Sequence, residues 1–367
     1  MKILFACGGT AGHINPALAI ADLLKRNVKD LSVVFVGTPD GMENRLVKEA
    51  GYEIRHVPAR GFRSLLSPGN VGAAISLFRS FRIAEKILAE EAPDLIVGTG
   101  GYVCYPVMRV AASQGIPTVL HESNARAGKA ARAIAKHTDL VLIRSRSAKR
   151  DLKSANRTVV SGNPLRREFY TLTRDAARRR LGLTESDLYL LVFGGSLGAA
   201  KLNQATESAV PRLLSAFPRL TILHASGLNK GDTRAVNSDG RYRRRAYIDD
   251  MATHLFASDT VVCRAGAMTL SEIAAAGVPS ILVPYPAAAG DHQTKNAEEY
   301  VKYNAAVLLP DRDLSPDSLT EQVSELLSDP DKRVRMREAV ARFRVPDCET
   351  IILREILSLC PRLEDYR

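Results

Sequence analysis

The chain has 367 residues, enough for about two domains that each bury a core. Hydrophobic residues make up 46% and charged residues 25%, a composition that excludes wholesale disorder. The 51 Lys and Arg exceed the 40 Asp and Glu, and the formal net charge of +11 indicates a polyanionic partner such as nucleic acid, a phosphorylated substrate or anionic lipid.

The first half of the chain predicts alternating strands and helices. An apolar strand at 3–6 precedes the glycine-rich turn GGTAG (8–12) and a helical pattern with Pro16 in its first turn. Further strands are predicted at 33–36, 95–97, 118–120, 140–143 and 158–160, with a helix at 75–88. Continuous apolar runs are typical of buried parallel strands, so this half predicts an α/β layer structure.

The turn cluster SGNP (161–164) predicts a domain boundary, after which the same pattern returns. A strand at 188–193 precedes GGSLG (194–198) and a helix that starts near Lys201. Further strands are predicted at 221–224, 260–263, 280–283 and 306–308, and helices at 270–276, 294–303 and 318–327. We expect two doubly wound parallel-sheet domains at 1–162 and 165–345, and a C-terminal helix at about 348–367 that docks on the first domain.

Cysteine usage and apolar patterns bear on the compartment. The five cysteines are odd in number and none stands at CxxC spacing, which favours a reducing cytosol. The seven histidines form no HxxxH or HExxH pair. The N-terminal apolar stretch is too short for a signal peptide, and the uncharged segment 273–290 is interrupted by glycine and proline, so no transmembrane segment is predicted.

The two glycine-rich turns are candidate phosphate sites. Glycine lets a phosphate approach the backbone N–H groups, and the following helix N-terminus adds partial positive charge. A tight turn that binds no ligand is the alternative for each loop. Thr10 and Ser196 occupy the third position where the dinucleotide fingerprint requires glycine, and GK[ST] is absent, so dehydrogenase and P-loop functions are excluded.

A series of motifs in a fixed order then identifies a family. The motifs are FACGGTAGHINPALAIA (5–21), GTGGY (98–102), HESNA (121–125), GNPLR (162–166), GGSLGA (194–199), YIDDM (247–251), CRAGAMTLSE (263–272), AAAGVP (274–279) and DHQTKNA (291–297). Over about residues 3–300 the chain resembles the MurG family of bacterial glycosyltransferases. The resemblance implies a GT-B fold, with two Rossmann-like domains facing across a cleft, and no cofactor.

The resemblance also implies an activity. It is the inverting transfer of N-acetylglucosamine (GlcNAc) from UDP-GlcNAc to the C4 hydroxyl of the muramyl sugar of lipid I, which gives lipid II for peptidoglycan. The first domain is expected to bind acceptor and membrane, and the second to bind the UDP-sugar. Other proteins of cell-wall synthesis or cell division are further candidate partners.

The resemblance carries donor-binding roles onto particular residues. Ser196 and Arg166 are expected at the diphosphate, and permanent charge suits Arg166 to a diphosphate leaving group. The backbone of Ile248 is expected at uracil, Glu272 at the ribose hydroxyls and Gln293 at the sugar hydroxyls. The remaining donor-site residues are Thr10, Ala11, Gly12, Asn124, Ala267, Met268, Thr269, Leu270 and Ser271. For Glu272 the alternative is a first-turn carboxylate that complements the helix dipole.

His13 is the first candidate for chemistry. The C4 hydroxyl is a weak nucleophile that needs a general base, and histidine titrates near neutral pH. A His13 that binds phosphate or caps the helix is the alternative. Glu122 is a second candidate base, with a structural carboxylate as its alternative. Two positions depart from the family pattern: Ala11 replaces a glycine, which requires a negative φ, and Ser123 replaces a glutamine.

The triplet Asp311-Arg312-Asp313 has the DxD form that other glycosyltransferases use to hold a divalent ion. Because it precedes Ser315-Pro316, it is interpreted as a loop before a helix cap. The resembled family releases UDP with helix dipoles and cations, so no catalytic metal is predicted.

A basic and apolar segment predicts contact with a membrane surface. Residues 60–68 and the following helix combine Leu65, Leu66, Ile75, Phe78 and Phe81 with Arg79 and Arg82. Such a segment inserts apolar side chains among anionic lipids of the inner leaflet. We therefore expect a peripheral protein at the cytoplasmic face of the cell membrane. A core-facing helix with solvated arginines is the alternative.

Three other functions fit parts of the sequence. A related lipid glycosyltransferase would use a different acceptor, such as diacylglycerol, and a UDP-sugar epimerase would turn over UDP-GlcNAc without acceptor. A nucleic-acid-binding protein would use Arg178–Arg180 and Arg241–Arg245, but no recognition motif is present, so no nucleic acid partner is predicted. Both arginine clusters are expected to be solvated surface.

Overall fold

The computed structural model describes residues 1–59, 70–228 and 240–360, and the side chains of 70–76 and 289 are not described. The chain divides into two compact units, Met1–Pro164 with Val345–Arg367, and Leu165–Arg344. Each contains one parallel sheet with helices on both faces, so the predicted α/β class with two doubly wound parallel sheets is confirmed.

The first unit is a seven-stranded parallel sheet of order β3-β2-β1-β4-β5-β6-β7. Its strands are β1 (Lys2–Cys7), β2 (Ser32–Gly37), β3 (Glu53–His56), β4 (Leu95–Gly100), β5 (Thr118–Glu122), β6 (Leu140–Ile143) and β7 (Thr158–Val160). Its helices up to residue 164 are α1 (Ala11–Asn27), α2 (Glu43–Glu49), α3 (Asn70–Glu91), α4 (Cys104–Ser113) and α5 (Lys129–Ile134). The central strands are buried on both faces, as their unbroken apolar sequences require.

The second unit is a six-stranded parallel sheet of order β10-β9-β8-β11-β12-β13. Its strands are β8 (Leu188–Phe193), β9 (Leu220–Ala225), β10 (Tyr242–Arg245), β11 (Thr260–Cys263), β12 (Ser280–Leu282) and β13 (Val307–Leu308). Its helices are α6 (Glu168–Thr171), α7 (Arg174–Arg180), α8 (Ala200–Ala216), α9 (Met251–Ala257), α10 (Ala267–Ala276), α11 (His292–Val301), α12 (Pro316–Ser328) and α13 (Pro330–Ala341).

The last described helix, α14 (Cys348–Leu357), belongs to the first unit. Its Ile352 and Ile356 are fully buried in the apolar cluster that also holds Ile14 and Ile20 of α1. Glu349 of α14 accepts a hydrogen bond from Arg26 at 3.0 Å. After the second unit, the C-terminal helix of the chain therefore packs on the first unit.

Two details of the helices differ from the predictions. Helix α1 begins at Ala11, so Pro16 lies in its second turn, and the predicted first-turn position is wrong. The proline removes one backbone donor there, but the helix continues to Asn27 because its apolar face is buried against the sheet. Within the described residues, no helix is long and apolar enough to span a bilayer.

Candidate functional site

The first glycine turn places His13 at the carboxyl end of β1. The Nδ1 atom of His13 lies 3.1 Å from the carbonyl oxygen of Gly8, and a carbonyl only accepts, so Nδ1 carries the proton. The neutral ring therefore has its lone pair on Nε2. The ring packs against Gly100, where an added Cβ would lie 2.5 Å from Cδ2 of His13. Glycine at position 100 thus leaves room for the imidazole.

Backbone conformation accounts for the residues of this turn. Gly9 has a φ of +89°, a region that favours glycine. Ala11 is the first residue of α1 and its φ is negative, which meets the condition that its methyl group imposes. Thr10 is the extended N-cap residue, and its Oγ1 lies 3.4 Å from Nδ1 of His13. The carboxyl end of β1 is therefore followed by four predicted site residues, Thr10, Ala11, Gly12 and His13.

Glu122 is the last residue of β5 and Asn124 lies on the loop that follows, two strands away from β1 at the same edge of the sheet. Glu122 Oε1 accepts hydrogen bonds from the backbone N and the Nδ2 of Asn124, both at 2.9 Å. Its Oε2 accepts from the N of Gly128 at 2.9 Å. Because both oxygens hold the loop together, the geometry favours the structural alternative for Glu122 over a base.

Ser123 is buried rather than presented to a ligand. Its Oγ lies 3.4 Å from Nδ1 of His121, and its carbonyl oxygen accepts from Nδ2 of Asn163 at 3.2 Å. His121 donates from Nε2 to the carbonyl oxygen of Gly162 at 3.1 Å, and burial lowers the pKa of His121 to about 4. Position 123 thus supports the loop from inside the unit.

In the second unit, Ser196 lies at the tip of the glycine turn before α8. Gly195 and Gly198 have φ values of +91° and +76°, and the N of Gly198 donates to the carbonyl oxygen of Gly195 at 2.9 Å. The N of Leu228 donates to the carbonyl oxygen of Ser196 at 3.0 Å. The turn is thus anchored by its backbone, and the Ser196 side chain is half-exposed.

Helix α10 presents its N-terminus near this edge of the sheet, directly after β11. Its first turn contains Ala267, Met268 and Thr269, and the N of Leu270 makes the first intrahelical bond, to the carbonyl oxygen of Gly266 at 3.0 Å. Backbone N–H groups ahead of that bond have no acceptor within the helix, which suits an anion. Ser271 donates from Oγ to the carbonyl oxygen of Ala267 at 3.2 Å.

Glu272 is the perturbed carboxyl of this unit. Burial raises the pKa of Glu272 to about 7, and the charge of Arg166 opposes that rise. It lies in the second turn of α10, so the interpretation as a first-turn carboxylate is wrong. Arg166 donates from Nη1 to the carbonyl oxygen of Asp249 at 3.3 Å, next to the buried Ile248. The structure therefore brings together three predicted donor-site residues: Arg166, Ile248 and Glu272.

Gln293 lies at the start of α11 and is already oriented. Its Oε1 accepts a hydrogen bond from the N of Tyr285 at 2.9 Å. That bond fixes the side-chain amide and directs its donor end away from Tyr285. The geometry matches a side chain held ready to donate to a hydroxyl.

Arg264 is a residue of this region to which the sequence assigned no role. Its Nη1 lies 2.6 Å from Oδ1 of Asp311 and donates to the carbonyl oxygens of Val283 and Pro284 at 3.1 and 3.0 Å. The DxD triplet forms a short 3₁₀ turn, and its first carboxylate is thus paired with a guanidinium. Arg264 follows β11 inside the CRAGAMTLSE motif, a position that could have indicated it.

The predicted membrane segment divides into exposed and packed side chains. Phe78 is 66% exposed, and Arg79 and Arg82 lie near it on the same helix. Phe81 is half-buried and lies edge-on to Tyr105, with ring centroids 6.1 Å apart. The side chain of Ile75, and Leu65 and Leu66, lie outside the described residues.

The prediction that Arg178–Arg180 are solvated surface is wrong for Arg178, which is buried. Arg178 donates from Nη1 to the carbonyl oxygen of Ala257 at 2.9 Å and to Oδ2 of Asp259 at 3.2 Å. Arg174 donates to Oδ1 of the same aspartate at 2.6 Å. These guanidinium groups satisfy carbonyl groups at the C-terminus of α9, where cations are favourable.

The second cluster also has partners within its own unit. Arg244 Nε lies 3.2 Å from Oε1 of Glu207, and Arg241 donates from Nη1 to the carbonyl oxygen of Leu214 at 3.0 Å. Arg243 and Arg245 of β10 are exposed, as expected on the edge strand of a sheet. The contacts of Arg241 and Arg244 account for two members of this cluster without a nucleic acid.

Two family models match most of the chain. The glycosyltransferase family 28 N-terminal domain matches residues 3–143, and the glycosyltransferase family 28 C-terminal domain matches residues 189–350. Together they cover most of both sheets, without β7, and most of the loops described above.

Relatives of known name are similar over nearly the full length. A protein of Acetivibrio thermocellus is 38% identical over 344 residues, 92% of each chain, and one of Desulforudis audaxviator is 38% identical over 368 residues, 98% of each chain. Both are named UDP-N-acetylglucosamine--N-acetylmuramyl-(pentapeptide) pyrophosphoryl-undecaprenol N-acetylglucosamine transferase. The crystal structure of Acinetobacter baumannii MurG is similar with a TM-score of 0.76 and 26% identity, covering 97% of this chain and 99% of that one.

Proposed function

The chain belongs to glycosyltransferase family 28, and we propose that it transfers GlcNAc from UDP-GlcNAc to the C4 hydroxyl of the muramyl sugar of lipid I, forming lipid II. The observation that carries this function is the full-length similarity to transferases named for that donor and acceptor. The GT-B fold class agrees with it. We further propose that residues 1–162, with the C-terminal helix, bind acceptor and membrane, and that residues 165–345 bind the donor.

Donor binding uses mainly the residues of the second unit, together with Thr10, Ala11, Gly12 and Asn124 of the first. The N-terminal turn of α10 and the Ser196 turn bind the diphosphate through backbone N–H groups, with Arg166 as the permanent cation. Ionised Glu272 accepts hydrogen bonds from the ribose hydroxyls, and the backbone of Ile248 contacts uracil. Gln293 donates to the sugar hydroxyls, because its Oε1 is already engaged. Leu270 and Ser271 follow in α10 and are the remaining residues of the proposed donor site.

His13 is the proposed general base. With its Nδ1 proton donated to Gly8, Nε2 accepts the proton of the C4 hydroxyl as that oxygen attacks the anomeric carbon. The new C–O bond forms on the face opposite the leaving group, the bond to UDP breaks with its electron pair, and α becomes β. Thr10, Ala11, Gly12 and Asn124 line the same sheet edge. Glu122 keeps the Asn124 loop in place.

The leaving diphosphate is stabilised by protein groups in this proposal, without a catalytic metal. Asp311 is paired with Arg264 at 2.6 Å, which engages the first carboxylate of the DxD triplet. A helix N-terminus and a guanidinium supply the positive charge that UDP needs on departure. We expect equal rates in EDTA and in Mg²⁺. Activity lost in EDTA and restored by Mg²⁺ would contradict this part.

We also propose a peripheral site at the cytoplasmic face of the cell membrane, where the polyprenyl tail of lipid I is embedded. Exposed Phe78 with Arg79 and Arg82 contacts anionic lipid there. Proteins of cell-wall synthesis or division remain proposed partners at that surface.

A transfer assay with labelled UDP-GlcNAc tests the function against its rivals. The acceptor is lipid I, diacylglycerol or none, in the same detergent. We expect label only in the lipid I product. Transfer only to diacylglycerol would establish the other lipid glycosyltransferase, and conversion of UDP-GlcNAc without acceptor would establish an epimerase.

A further inference from the structure

Glu43, the first residue of α2, is a fully buried carboxylate outside every motif described above. Its Oε1 accepts hydrogen bonds from the N and the Oγ1 of Thr38, both at 2.7 Å. Its Oε2 accepts from the N of Gly9 at 3.2 Å. Burial opposes ionisation, but the bonds from Thr38 and Gly9 outweigh it and hold the pKa of Glu43 below its usual range. An ionised carboxylate is thus held under the first glycine turn.

Glycines close around this carboxylate. A Cβ added at Gly8 would lie 2.6 Å from Oε1 of Glu43, and one at Gly37 would lie 2.5 Å from its Cγ. A Cβ at Gly41 would also collide with the carboxylate. The turn after β1, the end of β2 and the loop after β2 therefore leave space that this side chain fills.

The peptide between Gly8 and Gly9 connects Glu43 to His13. Its N–H donates to Glu43, and its C=O accepts from Nδ1 of His13 at 3.1 Å. Carboxylate, peptide and imidazole thus form one hydrogen-bonded chain. A donor that is bonded to an anion increases the negative charge on the carbonyl of the same peptide, which strengthens the next bond in the chain.

We propose that Glu43 is a positioning residue for the His13 base, acting through the Gly8–Gly9 peptide; this rests on the proposed base role of His13. It fixes the Nδ1–H tautomer and the ring orientation, and it stabilises the imidazolium that forms when Nε2 takes the proton. The peptide occupies the place that a carboxylate fills when it bonds directly to a catalytic histidine.

Two thiols near this chain stay protonated near neutral pH. Burial, together with Cys104 and Glu43, raises the pKa of the Cys7 thiol of β1 well above its usual value. Burial also raises the pKa of Cys104 of α4 to about 12 despite backbone bonds near Gly100, with Glu122 adding to the rise. Neither thiol therefore adds a change of charge beside His13 near neutral pH, and the carboxylate of Glu43 stays ionised.

Nitrogen NMR of the full chain, labelled with ¹⁵N-histidine, tests the proposal directly. The wild type is compared with Glu43→Gln, and His13→Gln assigns the His13 signals. Glu49→Gln is the matched control, because Glu49 is an exposed acid of the same helix that pairs with Arg45 at 3.0 Å. The amide that Glu43→Gln introduces can still accept from Thr38, but its NH₂ group faces the N–H of Gly9 and breaks that bond.

We expect neutral His13 in the wild type to be the Nδ1–H tautomer. Glu43→Gln lowers the His13 pKa by about 0.5 unit or more and mixes the tautomers, because a nearby negative charge is lost. Glu49→Gln titrates like the wild type. A wild-type Nε2–H tautomer, or unchanged His13 titration in a folded Glu43→Gln, would overturn the proposal. The His13 tautomer measured in the wild type tests the proposal even if the Glu43→Gln variant fails to fold.

Kinetic measurements distinguish the positioning role of Glu43 from the proposed base role of His13. In the transfer assay, Glu43→Gln is expected to lower kcat about tenfold, part of the ~10²–10⁴ of a general base, with KM for UDP-GlcNAc within twofold. The acid limb of its kcat profile should move down in pH with the His13 pKa. Unchanged kcat would overturn the positioning role. A His13→Ala variant with full kcat would instead remove the base role and leave the measured Glu43–His13 linkage standing.

Discussion

Glu272 gives the stability of the folded protein a measurable pH dependence at the scale of one residue. Burial raises its pKa in the folded protein to about 7, above the ~4.3 of an unfolded chain. Below about pH 4 the group is protonated in both states and costs nothing. Between about pH 4 and 7 the unfolded chain loses the proton while the folded protein keeps it, so stability falls across that window and levels off above it, where the folded protein buries the charge.

The first prediction is that Glu272→Gln stabilises the ligand-free protein at pH 8 and has little effect on stability at pH 4.5. The gain should be on the order of 2 kcal/mol, because Gln carries no charge to bury. Thermal unfolding at the two pH values measures it. Glu321→Gln, at an exposed position of α12, is the control and should show no such difference. Equal stabilisation of Glu272→Gln at both pH values would contradict the assignment.

The sequence could propose a role for a residue only where a motif contained that residue, and these roles stay predictions. His13, Arg166 and Glu272 stand in motifs, and the structure gives each a setting that suits its predicted role. Glu43 could not be found in this way, because its contact with Gly9 joins positions 34 residues apart and depends on how the ends of β1 and β2 meet in the fold. Arg178 was misread for a similar reason: its partners are carbonyl groups of α9, which a sequence pattern does not display.

At the scale of elements, two phenylalanines of helix α3 have different environments, although the sequence predicted the same membrane contact for both. Phe78 is 66% exposed, whereas Phe81 packs against Tyr105. We predict that Phe78→Ser weakens binding to phosphatidylglycerol vesicles about tenfold and leaves the melting temperature unchanged, since no packed contact is lost. Vesicle sedimentation and thermal unfolding measure both quantities.

Phe81→Ser is the matched comparison on the same helix. It should lower stability by about 2 kcal/mol, because it removes a half-buried ring from the packed face. UDP binding of Phe78→Ser should remain normal. Undiminished vesicle binding by Phe78→Ser would count against the membrane surface.

The strands were predictable where the sequence contains an apolar run, both inside the sheets and at the β7 and β13 edges. Residues 140–143, 158–160, 188–193 and 260–263 are predicted and observed with the same bounds. The two missed strands, β3 (EIRH) and β10 (YRRR), are both sheet edges. An edge strand has a solvated side and tolerates charge, and these two strands carry charged residues in place of the apolar run that marks the others. Helix α13 was missed because its charged sequence has little apolar periodicity.

At the scale of the whole molecule, the arginines that contribute to the net charge of +11 have several different partners. Arg174 and Arg178 satisfy carbonyl groups and Asp259, and Arg264 pairs with Asp311. Arg166 lies among the donor-site residues, and the proposed membrane helix carries its own arginines. The positive charge therefore requires no nucleic acid. The fold class could be predicted from repeated strand–turn–helix units, while substrate identity came from motifs and full-length relatives.

The most direct test of the central claim compares wild type with His13→Ala in transfer of labelled GlcNAc to lipid I, with UDP affinity measured by calorimetry. The account predicts that kcat falls at least about 100-fold while UDP affinity stays within twofold. His56→Ala, at an exposed histidine of β3, should behave like the wild type. Full kcat in His13→Ala would contradict the account.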